Sequence, residues 1–289
     1  MMNKCFFVSD LHGFENRYIK LFKAILTEKP SAVFMGGDLL PHALQNLLSD
    51  SNFPKGEFAN GFFKKNLSEL KNQMGIQYPR VFLILGNDDI RIEEQNFINM
   101  QEEELCSYIH QKQLKYEGYK IFGYSYVPPT PFMLKDWEKF DVSRFVDPAC
   151  ISPLRGNRTV PAEETEIKYG TIQKDLELLT GDQNLDKAIF LLHSPPYKTK
   201  LDRAALDGKT IDHVPLDVHC GSIAIKRFIE QKQPLLTMHG HIHESTRLTG
   251  SWRDKINNTT CFSAAHDGNE LSIVKFDLEN LSSATREIL

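Results

Sequence analysis

The chain has 289 residues, 41% of them hydrophobic and 25% charged, with a formal net charge of −4. That length supports one large domain or two small ones around a substantial core, and the composition is ordinary for a globular enzyme. The charge balance gives no general pull toward nucleic acid or an anionic membrane, so an anionic substrate would need a local positive charge such as a bound metal.

In chain order, the first apolar run, 5–8, is too short for a signal-peptide core and meets Asp10 at once. No stretch approaches the ~20 apolar residues of a membrane span. The run is read as a strand, Lys4–Val8, ending at Ser9-Asp10-Leu11-His12-Gly13. Residues 15–28 carry Tyr18, Ile19, Phe22, Ile25 and Leu26 at helical spacing. Strand 32–35 ends at Gly36-Gly37-Asp38, and strand 81–85 ends at Gly86-Asn87-Asp88-Asp89. Strand 188–192 ends at His193-Ser194-Pro195-Pro196. A helical pattern over 222–231 precedes strand 235–238, which ends at His239-Gly240-His241-Ile242-His243, and 271–276 reads as a late strand at a sheet edge. The runs are continuous rather than alternating, as in strands buried on both faces. Strands alternating with helices predict a layered α/β domain, taken as a single domain over 1–289. Between about 124 and 186 prolines break the pattern, and only 169–179 reads as helix. This segment is an insertion that covers or flanks a site, or else a surface loop without a role. The five scattered cysteines, without a C-x-x-C pair, read as reduced thiols of a cytoplasmic protein.

Five strand ends thus carry metal-ligand residue types. In open α/β sheets the loops at the carboxyl ends of strands build the binding crevice. Asp10, His12, Asp38, Asn87, His193, His241 and His243 would then share one pocket. Residues two apart in extended chain point the same way, so Asp10 and His12, or His241 and His243, reach one centre together. Gly13, Gly36, Gly37, Gly86 and Gly240 allow tight turns and close backbone approach. A lone histidine at a strand end is usually structural; five such ends in compatible order are not readily reached by chance.

This ordered set, Asp10-Leu11-His12, Gly37-Asp38, Gly86-Asn87-Asp88-Asp89, His193 and Gly240-His241-Ile242-His243, resembles the calcineurin-like metallophosphoesterase family. The family pattern runs D-x-H, G-D, G-N-H-[DE], H and G-H-x-H. The resemblance implies a four-layered α/β/β/α sandwich, two packed mixed sheets flanked by helices, with two metal ions in one site. It implies Asp10, His12 and His243 on the first metal, Asn87, His193 and His241 on the second, and Asp38 bridging both. Two such cations would hold a phosphate oxygen and lower the pKa of bound water from 15.7 toward ~7, so that a bridging hydroxide attacks phosphorus. Imidazole and carboxylate ligands without thiolate suit Mn, Fe or Zn.

The chain departs from the pattern at Asp88, where the family has His. An ionised carboxylate repels phosphate and has no proton to give; a protonated one donates only if burial or nearby negative charge raises its pKa. Asp88 is therefore either a catalytic acid or a turn residue without chemistry. Arg203, His213 and His219 in the polar loop 198–221, and His42 after Asp38, are candidate substrate contacts, Arg203 as a phosphate clamp; each is otherwise a solvated loop residue. His239 and Asp89 stand beside ligand blocks and would orient them. His110 and His266 read as surface or turn residues. Trp137, Phe132 and Phe140 would form an apolar lid, or simply pack.

The expected function is a dinuclear metal-dependent phosphoesterase acting on a small phosphate ester, either a phosphodiester or an activated phosphomonoester. A nuclease on the same fold is disfavoured by the lack of a basic cluster near the motifs. A non-catalytic binding scaffold is disfavoured by suitable residues at all seven ligand positions.

Overall fold

The computed structural model describes residues 4–42 and 57–289. Two six-stranded sheets pack face to face. In the first, β1 (Lys4–Val8), β2 (Ala32–Gly36), β3 (Arg80–Ile84) and β4 (Ser107–Tyr108) run parallel. On the far side of β1 lie β13 (Ser272–Asp277) and then β14 (Asn280–Ile288), both antiparallel to their neighbours. In the second, β6 (Tyr119–Tyr124), β7 (Ala188–Leu192), β10 (Leu236–His239) and β12 (Thr259–Ser263) are parallel. Its antiparallel edges are β5 (Gln113–Tyr116) and β11 (Arg253–Ile256).

The continuous apolar runs follow from burial on both faces. Along β1, Cys5 and Phe7 face the second sheet while Phe6 and Val8 face the helices. On the other sheet Ile121, Ile189 and Leu191 fill the space between sheets, and Phe122 and Phe190 face outward, stacked with ring centroids 4.5 Å apart. Helix α1 (Glu15–Glu28) buries Tyr18, Leu21, Phe22 and Ile25 on the first sheet, joined by α2 (Lys64–Met74) and α3 (Glu94–Glu102). The second sheet is covered by α5 (Ile172–Thr180) and α6 (Ile223–Lys232), the latter capped by the Ser222 side chain accepting from the Ile225 N–H. The four layers are those the resemblance implies. Among the described residues no helix is long and apolar enough to cross a membrane.

Three expectations need correction. The strand expected over 271–276 is not at an edge: β13 lies between β1 and β14. The true edge strand, NLSSATREI, is too polar to stand out because only one side of it meets the core. The helix expected over 169–179 is two helices, α4 (Glu164–Tyr169) and α5, divided at Gly170 and restarted by the Thr171 side chain accepting from the Lys174 N–H. His110 is not a surface residue but is buried among Tyr124, Tyr126 and Trp137.

The Nδ1 of His110 accepts the Ser125 N–H at 3.0 Å, and burial holds the imidazole far below its usual pKa, so the folded chain keeps it neutral. The unfolded chain, with pKa about 6.5, takes up a proton below that pH, so stability falls as the solution is acidified. His110→Phe should lower stability near neutrality by about 1–3 kcal/mol, because the Ser125 N–H loses its acceptor. It should also flatten the fall in denaturation midpoint between about pH 7.5 and 5.5. Parallel pH curves for the two proteins would show that His110 does not bear this proton linkage.

Candidate metal centre

The carboxyl ends of β1, β2, β3, β7 and β10 converge, three strands from one sheet and two from the other. Where the strands stop, the backbone turns sharply: Asp10, His12, Asp38 and His241 all have positive φ, between 47° and 73°. The extended-chain alternation expected for Asp10 and His12 is therefore not what aims them. Two left-handed residues in three fold the chain back on itself, and the Asp10 and His12 N–H groups donate to Gly37 and Asp38 carbonyls. Gly86 comes so close that an added Cβ would lie 2.6 Å from both the Asp38 backbone nitrogen and His193 Nε2. Gly37, at φ 96°, faces the His193 ring in the same way.

Asp10, His12, Asp38 and His243 each offer a ligand atom within 4.8 Å of the others. His12 Nε2 and His243 Nε2 face each other at 3.1 Å, with His243 Nε2 3.4 Å from Asp10 Oδ1. On the other side of Asp38, His193 Nε2 lies 3.3 Å from Asp38 Oδ2 and 3.1 Å from Asn87 Oδ1. The His241 ring centroid lies 5.3 Å from that of His193, and its backbone N–H donates to Asp10 Oδ1 at 2.9 Å. All seven expected side chains thus meet, with Asp38 Oδ2 between His193 and His12, the latter at 3.9 Å.

The electrostatics fit cations. His193 Nδ1 lies 2.8 Å from the Gly36 carbonyl and so must donate there, which leaves the Nε2 lone pair pointed at two oxygens that also only accept. A proton or a metal ion has to reconcile them. With protons alone, burial pushes Asp10 up, but His243 with His193 and His12 outweighs it and holds Asp10 far below the carboxylate range. Asp38 is likewise lowered, His193 and His12 overcoming burial. His193 is pushed up to about 9, Asp38 and Asp10 outweighing its burial. His241 is pulled down to about 3 by burial and by His193. Two buried carboxylates, an amide oxygen and four imidazoles, of which His12 and His193 are buried and His241 and His243 partly exposed, form a donor set for borderline divalent ions.

Asp88 and His42 complete the rim. Asp88 Oδ2 forms an ion pair with His42 Nδ1 and lies 3.2 Å from His12 Nδ1. His42 stacks on His12 at 4.2 Å. Burial raises the Asp88 carboxyl, but hydrogen bonds from His12 and His42 win and leave it ionised, so it has no proton to donate. Asp88 in turn raises His42 from its ordinary imidazole value. Asp89 is buried and accepts the N–H groups of Leu39, Leu40 and Gly86, tying the β2 loop to the β3 loop. Burial and Asp38 push it up to about 8. His239 Nδ1 donates to the Ser194 carbonyl and its Nε2 accepts from Thr237, which steadies the turn after His193. Burial takes His239 down to about 4.

The other candidates lie apart. Arg203 commits its guanidinium to Asp207 and the Ala204 carbonyl, so a phosphate clamp there would have to break an ion pair. His213 is exposed at the tip of the hairpin β8 (Thr210–Ile211) and β9 (Val214–Pro215). His219 is engaged by Asp202. Trp137 and Phe140 do not form a lid: both are buried in the body, while Phe132 points to solvent. Arg17 went unnoticed in the sequence. Buried on α1, it donates to the Asp10 and Gly268 carbonyls, both at 2.5 Å, and the apolar stripe around it gave no hint.

This architecture and this cluster accompany a family match. The calcineurin-like phosphoesterase model fits residues 4–245, and the chain belongs to that family. One solved crystal structure, 14% identical, aligns over 100% of this chain and 99% of its own with a TM-score of 0.58. The protein TT1561 of Thermus thermophilus, 15% identical, aligns over 100% and 99% with a TM-score of 0.57. At such identities the likeness extends to the fold alone. No curated protein matches the chain in sequence.

Because a methyl group at position 86 would press on His193 and on the Asp38 backbone, Gly86→Ala should keep the fold but bind less metal. Circular dichroism should be unchanged, while metal per chain, measured by mass spectrometry after dialysis, should fall severalfold. Full metal content in the variant would show that the turn tolerates the displacement.

Proposed function

We propose that the chain is a dinuclear metal-dependent phosphoesterase that hydrolyses small phosphodiesters or activated phosphomonoesters. The observation that carries this reading is the place of Asp38, one buried carboxylate flanked by His12 of one group of donors and His193 of the other. Asp10, His12 and His243 would hold one ion, Asn87, His193 and His241 the other, and Asp38 both. When bound, the pair would supply Lewis acidity, attract a phosphate oxygen and lower the pKa of a water toward ~7. Mn, Fe and Zn suit the donors.

The remaining work belongs to the chain itself. Asn87 is neutral, so with two divalent ions bound the centre would be net positive toward a phosphate. Arg17 and His239 hold the backbone behind Asp10 and His193. His42, oriented by Asp88, whose charge favours the protonated imidazole, carries the imidazole that the family pattern puts after the asparagine. In this reading Asp88 is the partner of the acid, and His42 delivers a proton to the leaving oxygen. The positive imidazole also offsets the repulsion that an isolated Asp88 would exert on phosphate.

Metal analysis together with hydrolysis of bis(p-nitrophenyl) phosphate tests the proposal. The native protein should carry about two ions per chain and turn over, and a chelator should abolish turnover until metal is returned. Asp38→Asn should empty the centre and lower kcat by at least about a hundredfold. One ion or none with no turnover would favour the scaffold reading.

His42→Ala should leave the metal content intact. It should slow alkyl esters by roughly 10²–10⁴-fold and nitrophenyl esters far less, because a good leaving group needs no proton. An equal loss on both substrates would remove His42 from the proton-transfer step.

A further inference from the structure

The ligand imidazoles are not all steadied in the same way. A neutral imidazole has one N–H and one lone pair, so a ring that gives its lone pair to a cation must carry its proton on the other nitrogen. At His193 the backbone meets that need, with Nδ1 2.8 Å from the Gly36 carbonyl. At His12 the backbone does not. Its Nε2 faces the centre, 3.1 Å from His243 Nε2 and 3.9 Å from Asp38 Oδ2. Its Nδ1, on the far edge of the ring, is sealed from solvent and makes no hydrogen bond to the backbone. The group within reach of it is the Asp88 carboxylate, with Oδ2 at 3.2 Å.

Residue 88 is fixed where this contact needs it. Its backbone N–H donates to Asp38 Oδ1 at 2.8 Å, which pins residue 88 beside Asp38 and leaves Asp38 Oδ2 to the side of His12 and His193. That tie needs only a backbone N–H and is indifferent to the side chain at 88. The contact with His12 is not: it requires an acceptor, which a carboxylate always offers when ionised and an imidazole offers only on its one unprotonated nitrogen. The His12 side chain is 4% exposed and that of Asp88 26%, so the contact is shielded mainly from the His12 side, where a hydrogen bond to a charged group counts most. His42 stacks on the His12 ring with 20° between the planes and pairs with the same Asp88 oxygen, so one carboxylate meets both rings.

We propose that Asp88 is a positioning residue for the metal centre: its carboxylate holds the His12 proton on Nδ1 and so keeps the Nε2 lone pair aimed at the ion that His12 shares with Asp10 and His243. This role rests on the two-ion reading above. It is separate from the pairing of Asp88 with His42.

The test titrates zinc against a chromophoric chelator in the native protein, Asp88→Ala, Asp88→Asn and His42→Ala. The native chain should hold two ions tightly. Asp88→Ala should weaken one of them by roughly 10–100-fold and leave the other near its native affinity. Asp88→Asn, whose amide oxygen still accepts a hydrogen bond, should recover most of that loss. His42→Ala should hold both ions as the native protein does, because the contact between His12 and Asp88 is intact. In zinc-loaded protein labelled with nitrogen-15 histidine, the His12 Nδ1–H proton should resonate downfield and exchange slowly with water. In Asp88→Ala it should lose both properties. Equal zinc affinities in the native protein and Asp88→Ala, or an unchanged His12 proton signal, overturn the positioning role and leave the two-ion reading standing. So does equal weakening in Asp88→Ala and His42→Ala, which would trace the effect to the rim pair and not to the His12 proton. A native chain that holds fewer than two ions overturns both.

Discussion

Two carboxylates, Asp10 and Asp38, are buried where two sheets end, and the rest of the centre answers to that fact. A carboxylate taken out of water must find compensating charge or donors, or it will not stay ionised. The fold meets the demand by bringing His193 and His241 from one sheet against Asp10 and Asp38 from the other. It accepts backbone strain to do so. Asp10, His12, Asp38 and His241 sit in left-handed conformations that no glycine relieves, each costing on the order of 1–3 kcal/mol. Strain concentrated at four converging residues is characteristic of a site held for chemistry.

Around this centre the supporting groups work mostly through backbone. Asp89 fastens two loops by three N–H groups, and Arg17 and His239 grip carbonyls next to Asp10 and His193. Asp88 and His42 are the exception, a side-chain pair at the half-open rim. One residue's charge raises the other's proton affinity, and Asp88, where the family pattern has His, stands beside His42. The insertion adds another level: its inner side is locked by Asp136 and Glu138, and its outer side leaves apolar groups in solvent.

Much of this was legible beforehand. Strands buried on both faces produce continuous apolar runs, so β1, β2, β3, β7 and β10 stood out, and polar residues at their ends marked where the chain leaves the core. Edge strand β14 did not stand out, because one-sided burial permits polar residues. His110 looked like a turn residue because a lone histidine between short strands carries no periodicity; the rings of Tyr124, Tyr126 and Trp137, further along the chain, decide its burial. Arg203 and His219 looked available for phosphate until their neighbours Asp207 and Asp202 were seen to hold them.

The sequence by itself determined the layered class, the strand ends and the seven donor types, since local hydrophobicity and residue chemistry are written along the chain. Tertiary structure alone decided how those donors are aimed, which carboxylate stands between the two groups, and that His42 belongs to Asp88. These are matters of distance between segments far apart in sequence, and of backbone turns that are tolerated only because packed sheets hold them in place.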